Sequence, residues 1–229
     1  MNAMASGNCI VSFGCNDLRY KTMLNRLSNS LKKAGWTGGF EMEWFENYPF
    51  HNQVPYVFKT DKLNTLKQYK DLLWLDSSFY AIKSPEWIFG RIDEQGYYFS
   101  ESGYNCAQSV SDACLKLFDI TRDEAEGIKE VSSGCVGINQ ETMIGRELLE
   151  MWSEYTEMGG TKGSRFHDNQ STDKRFLFHR QDQSVLSLCA YKLGLRPTRM
   201  GEYWDYLTDK DIESKRELKE TVCFICRGI

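Results

Sequence analysis

Asp71-Leu-Leu-Trp-Leu-Asp76-Ser-Ser78 is the stretch on which the fold turns. Leu72 to Leu75 is a continuous apolar run of strand length, the kind buried on both faces of a parallel sheet. It stops abruptly at a carboxylate and two hydroxyls. Upstream, Lys59 to Tyr69 reads as a helix with Leu63 and Leu66 inward, after a loop holding Pro49 and Pro55. Further back, Cys9-Ile-Val-Ser-Phe13 reads as a buried strand and Gly14-Cys-Asn-Asp17 as the loop after it. Tyr20 to Ala34 follows as a helix, with Met23, Leu24, Leu27 and Leu31 on one stripe and Gly35 as its stop. Gly38 to Phe45 is apolar and aromatic enough for a second strand. This alternation predicts an α/β fold with a central, mostly parallel sheet, flanking helices and right-handed crossovers.

Downstream of Ser78 the pattern is less regular. Helices are expected over Pro85 to Ile92, Ala107 to Phe118, Glu147 to Met158 and Gln183 to Leu193. Strands are expected over Tyr97 to Ser100, Val131 to Ile138 and Arg175 to His179. Gly159 to Asp173 is polar and glycine-bearing, and reads as a mobile loop. No repeat, low-complexity tract or linker interrupts the 229 residues, so one domain over 1–229 is expected.

Composition narrows the function classes. Forty-one per cent apolar and 14% aromatic residues suffice for a core and exclude a disordered chain. The net charge is −4, which argues against a general nucleic-acid binder. No apolar run approaches the roughly 20 residues of a membrane span. Met1 to Asn8 lacks the basic and apolar regions of a signal peptide, so a cytoplasmic location is expected. Cys223 and Cys226 form one CxxC, but zinc needs a second ligand pair, and the eight cysteines read as buried thiols.

In open α/β sheets, ligands bind beyond the carboxyl ends of the strands. Gly14-Cys-Asn-Asp17 and Asp76-Ser-Ser78 both fall on that edge. No GxGxxG, GxxxxGK[ST] or GxSxG is present, which removes dinucleotide, P-loop and nucleophile-elbow sites. Asp76 reads either as a turn or cap residue or as a ligand of a hard divalent cation, with Ser78 beside it. Asp182 reads as an N-cap, as a catalytic carboxylate, or as both. His179 is a strand-end histidine bonded to backbone or a metal ligand. The aromatic group Trp36, Phe40, Trp44, Phe45 and Tyr48 reads as core.

Taken together, four segments resemble the GT-A glycosyltransferases, nucleotide-sugar-dependent enzymes whose buried strand ends in Asp-x-Asp. Lys59-x-x-Lys62-Leu63 followed by Leu72-Leu-Trp-Leu-Asp76-Ser-Ser78 resembles their metal-binding segment. Val11-Ser12-Phe13-Gly14 with Asp17 and Tyr20 resembles the base and ribose pocket. Ser133-Gly134-Cys-Val-Gly137 resembles the strand under the donor sugar, and His179-Arg-Gln-Asp182-Gln183-Ser184 the segment opening a late helix beside the reaction centre. The resemblance leans toward glycogenin-like enzymes. It implies a Mn²⁺ or Mg²⁺ cofactor and a nucleotide-sugar donor, UDP-linked. The acceptor it implies is a glycan, as in surface-polysaccharide synthesis. Residues of about 9–130 would then bind the nucleotide-sugar and about 131–229 the acceptor. On this reading Asp76, Ser78 and His179 hold the metal, and Ser12, Phe13, Gly14, Asp17, Tyr20, Ser133, Gly134 and Gln183 hold the donor. Lys59 and Lys62 neutralise the diphosphate, and Asp182 acts in the chemistry. One departure stands out: the third motif residue is Ser78, where the family has Asp. A sugar-1-phosphate nucleotidyltransferase and a non-catalytic carbohydrate- or protein-binding module are the rival classes. The first needs a Gly-rich loop with Arg and Lys after the first strand, which Gly14-Cys-Asn-Asp17 lacks.

Overall fold

The computed structural model describes residues 7–48, 53–162, 171–208 and 217–227. The chain opens with β1 (Asn8–Cys15), α1 (Leu18–Lys33), β2 (Gly39–Phe45), α2 (Val57–Thr65) and β3 (Asp71–Leu75). β4 (Phe79–Ala81), α3 (Glu86–Gln95), β5 (Tyr97–Tyr98) and β6 (Glu101–Asn105) follow. Then come α4 (Cys106–Ser109), α5 (Asp112–Leu117), α6 (Arg122–Glu126), β7 (Lys129–Val131) and β8 (Cys135–Asn139). α7 (Met143–Tyr155) runs into a π turn, Thr156–Gly160, and α8 (Asp182–Lys192), β9 (Trp204–Tyr206) and β10 (Phe224–Cys226) complete the described elements.

The main sheet has the order β2-β1-β3-β8-β5. β1 pairs in parallel with β2 and β3, whereas β8 is antiparallel to both β3 and β5. Four strands therefore share one direction and β8 opposes them, which makes the sheet mixed. The period-two alternation of strand side chains sorts the core into two layers. Val11, Phe13, Leu72 and Trp74 face one cluster, which α7 and α8 cover with Leu148, Trp152, Leu186 and Cys189. Ile10, Leu73 and Leu75 face the other, covered by Leu27 and Leu31 of α1 and by Ile88, Phe89 and Ile92 of α3. Each fully buried aliphatic side chain of this kind contributes about 1.5–3 kcal/mol. A three-stranded sheet, β4-β10-β9, brings the last described strand beside the Asp76-Ser-Ser turn, and Arg227 N donates to Ser78 O at 3.2 Å.

Several sequence expectations change in detail. The helix expected over Ala107 to Phe118 is two, because Val110 is extended and the Ser111 hydroxyl caps α5 by accepting from Cys114 N. The strand expected over Val131 to Ile138 breaks at Ser132–Gly134 into β7 and β8. Arg175 to His179 forms no strand. It lies against the end of α4, where Leu177 N and Phe178 N both donate to Gln108 O. α2 ends at Thr65, four residues short of Tyr69. Of the expected loop Gly159 to Asp173, Gly159 and Gly160 belong to the π turn, and 163–170 lie outside the described residues. No described helix is long and apolar enough to cross a membrane.

Candidate active site

The carboxyl ends of β1 and β3 open onto two adjoining chambers of about 400 Å³ and about 740 Å³. Tyr56, Lys59 and Asp76 line both, so the chambers meet at those three side chains. The first lies between the β1–α1 loop and the start of α2. The second lies under the segment from Phe176 to Gln183, with Tyr206 on its rim.

The junction is built around Lys59. α2 carries this lysine into the interior, where it is 1% exposed. Its Nζ lies 2.8 Å from Asp182 Oδ2 and 3.0 Å from Asp76 Oδ1, and it donates to Ser133 O at 3.1 Å. Burial pulls the ammonium toward its neutral form, but Asp182 and then Asp76 outweigh that pull, and the proton is held more tightly than in an exposed lysine. Asp76 is fixed from three sides. Its backbone N–H donates to Gly134 O at 2.8 Å, its carbonyl accepts from Phe79 N, and its Oδ1 accepts from Trp74 Nε1 at 2.8 Å. Trp74 and Asp76 are two residues apart, the spacing that puts strand side chains on one face. A Cβ at Gly134 would lie 3.2 Å from Asp76 Oδ2, so the absence of a side chain keeps that oxygen's surroundings open.

Asp182 occupies the first turn of α8, but it is not the cap. Gln181 holds the N-cap position without a side-chain cap bond, at φ 52° and ψ −116°, a backbone region that favours glycine. The capping reading of Asp182 is therefore replaced by a buried ion pair with Lys59. Gln183 Oε1 accepts from Ser133 N at 3.2 Å, which ties α8 to the β7–β8 turn.

The other predicted residues divide. Phe13, Gly14, Asp17 and Tyr20 line the first chamber. The Phe13 ring stacks on Phe58 at 4.3 Å, and Asp17 caps α1 through Arg19 N at 2.8 Å while pairing with the Arg19 guanidinium. A Cβ on Gly14 would come within 2.8 Å of Tyr20 Cβ, so glycine lets α1 close on the strand. Ser12 lies beneath the floor and donates to Leu75 O at 2.6 Å. Lys62 does not enter either chamber; it pairs with Glu43 of β2 at 3.1 Å. Of the aromatic group read as core, Trp36 stacks on Phe89, whereas Phe45 is 39% exposed.

The expected metal ligands are not assembled as a set. Asp76 Oδ1 is spent on Lys59 and Trp74. Ser78 Oγ lies 3.3 Å from Cys226 Sγ. His179 Nδ1 accepts from Ser111 N at 3.0 Å, which leaves the ring proton of the neutral imidazole on Nε2, a donor rather than a metal-binding lone pair. Among the described residues no group of three or more His, Cys, Asp or Glu could hold a metal ion. The residues present do not fit the divalent cation that the sequence resemblance implies.

Sequence reasoning missed Tyr56, Trp74, Arg180 and Tyr206. The Trp-x-Asp spacing of strand residues was the available signal for Trp74. Tyr56 stands at φ 62° in a loop, and Tyr206 arrives from a distant strand; neither carries a local signature. Burial pushes the Tyr206 phenol up to about 12.

Neither the family models nor the curated proteins gave a match to this sequence. Solved structures do resemble the fold. Mouse xyloside xylosyltransferase 1 in its apo form aligns with a TM-score of 0.51 and 10% identity, over 96% of this chain and 98% of that one. The apo bifunctional glycosyltransferase WbbM aligns with 0.57 and 11% identity over 100% of this chain, which spans 47% of WbbM's chain. The galactosyltransferase LgtC, solved with donor and acceptor sugar analogues, aligns with 0.53 and 12% identity over 95% of this chain and 86% of that one. The chain has a GT-A-like glycosyltransferase fold.

Proposed function

We propose that this protein transfers a sugar from a nucleoside-diphosphate donor, UDP-linked, to a hydroxyl of a glycan acceptor. The observation that carries the reading is the junction itself: two chambers meeting at a buried lysine that ties together carboxylates from β3 and α8. A two-substrate transfer needs such a meeting point. The nucleoside would occupy the first chamber, against Phe13 and Tyr20, with its diphosphate leading toward Lys59. The acceptor would share the second with the sugar-bearing phosphate, its hydroxyl presented at Asp182.

Asp182 is 4% exposed and held by Lys59, so its carboxylate is positioned before any substrate arrives. There it would take the hydroxyl proton or stabilise positive charge at the anomeric carbon as the diphosphate leaves. The protein forms no necessary covalent bond in this scheme, and positioning supplies much of the rate. The fold likeness supports the reaction class.

A thermal-shift panel of nucleotides and nucleotide-sugars tests this reading. A rise in melting temperature with nucleoside diphosphates and their sugars, absent with free sugars, supports it. No response to any member of the panel contradicts it.

A further inference from the structure

We propose that the charge of the donor diphosphate is answered by two fixed side-chain cations, the buried Lys59 and the partly exposed Arg180, and that binding it requires no divalent metal ion. The proposal rests on the glycosyltransferase reading above and concerns how that same site handles charge. Both cations line the second chamber, and Lys59 also lines the first. The acids lining the two chambers, among the described residues, are Asp17, Asp76 and Asp182. Asp17 is neutralised by Arg19. Asp76 and Asp182 both face Lys59, and Arg180 lies 3.7 Å from the buried Glu130, so each acid lining the chambers already meets a side-chain cation.

The donor atoms point the same way. A Mg²⁺-like ion takes oxygen ligands from carboxylates and substrate phosphates. Here the serine of the Asp-Ser-Ser turn faces Cys226, the histidine spends Nδ1 on a backbone N–H, and one oxygen of Asp76 already faces an ammonium. A dication on the remaining Asp76 oxygen would stand close to the buried ammonium of Lys59, which repels it.

Arg180 is suited to the second role. Its guanidinium lies over the Phe178 ring at 5.1 Å and the Tyr104 ring at 5.6 Å, which fixes its plane. Glu130 is its nearest acid, at 3.7 Å, and that carboxylate also accepts from the Ser102 hydroxyl. The Arg180 side chain stays 41% exposed, so donors remain free to meet a phosphate in the chamber.

Calorimetric titration of the full chain with UDP, GDP, ADP and CDP tests this, first in EDTA and then in Mn²⁺ or Mg²⁺. The preferred diphosphate is expected to bind in EDTA within about twofold of its affinity with metal. Arg180→Gln should weaken that diphosphate about tenfold, the usual scale of one charged hydrogen bond, and leave the matching nucleoside unchanged. A gain of about tenfold or more on adding metal overturns the proposal while leaving the glycosyltransferase reading intact. Unchanged diphosphate affinity in Arg180→Gln also overturns it. Binding of no diphosphate in any arm overturns the glycosyltransferase reading itself.

Discussion

A buried ammonium is stable only if its charge is answered, and Lys59 is answered by two carboxylates far apart in sequence, Asp76 and Asp182. Removing it leaves Asp182 buried beside no cation. Lys59→Met should therefore cost about 3–5 kcal/mol, the scale of breaking a buried pair, read as a lower urea midpoint. Loss of under about 1 kcal/mol would show that the pair contributes no more than a surface salt bridge. Asp71 makes a different prediction. It is buried at the start of β3 and its Oδ1 has no hydrogen-bond partner, and burial raises its carboxyl to about 6. The folded state thus prefers the protonated acid. Its contribution to stability is full below the unfolded value near 4 and is lost as pH rises through about 6. Asp71→Asn should remove that slope and raise stability at pH 7. Unfolding curves at pH 5 and pH 8 check this, and an unaltered pH slope in the variant would refute it. Neither group's state was legible in the sequence, because a helix lysine and a strand-start aspartate look like surface residues until the tertiary fold encloses them.

At the scale of elements, the first eighty residues read well because each strand and helix there is a long run with one period. β1, α1, β2 and β3 all lie where the apolar pattern puts them, within a few residues. After Ser78 the elements are short, and side-chain caps outvote periodicity. Ser111 shows how: its hydroxyl starts α5 and its backbone N–H is taken by His179, so a single helical stripe becomes two helices. Ser111→Ala should cost about 1 kcal/mol through the lost cap. A fall in melting temperature is expected; none at all would mean that the break is set by the His179 contact instead. Arg175 to His179 misled for a related reason. Its alternating aromatics suit a strand, but the backbone donors of Leu177 and Phe178 go to Gln108 at the end of α4. The antiparallel sense of β8 was hidden as well, since a fully buried strand looks the same in either direction.

For the whole molecule, the consequence of the fold is convergence. Lys59 comes from the second helix, Asp76 from the third strand, Ser133 from the turn before β8 and Asp182 from α8, all onto one edge of one sheet. The order of these segments was readable, and so was the sheet edge on which they meet. Which oxygens and nitrogens would touch was not: Asp76, Ser78 and His179 all line the cleft, but Asp76 Oδ1, Ser78 Oγ and His179 Nδ1 each face another side chain or a backbone N–H. In the function proposed above, this convergence performs glycosyl transfer with Asp182 in the chemical step. The most direct measurement is release of nucleoside diphosphate from a panel of nucleotide-sugars, for the wild type and Asp182→Asn side by side, with the donor affinity of both measured. Release by the wild type is expected, and in the variant a fall of about 10²-fold or more with donor affinity retained. Release from no donor, or equal release by the two proteins, would contradict that function.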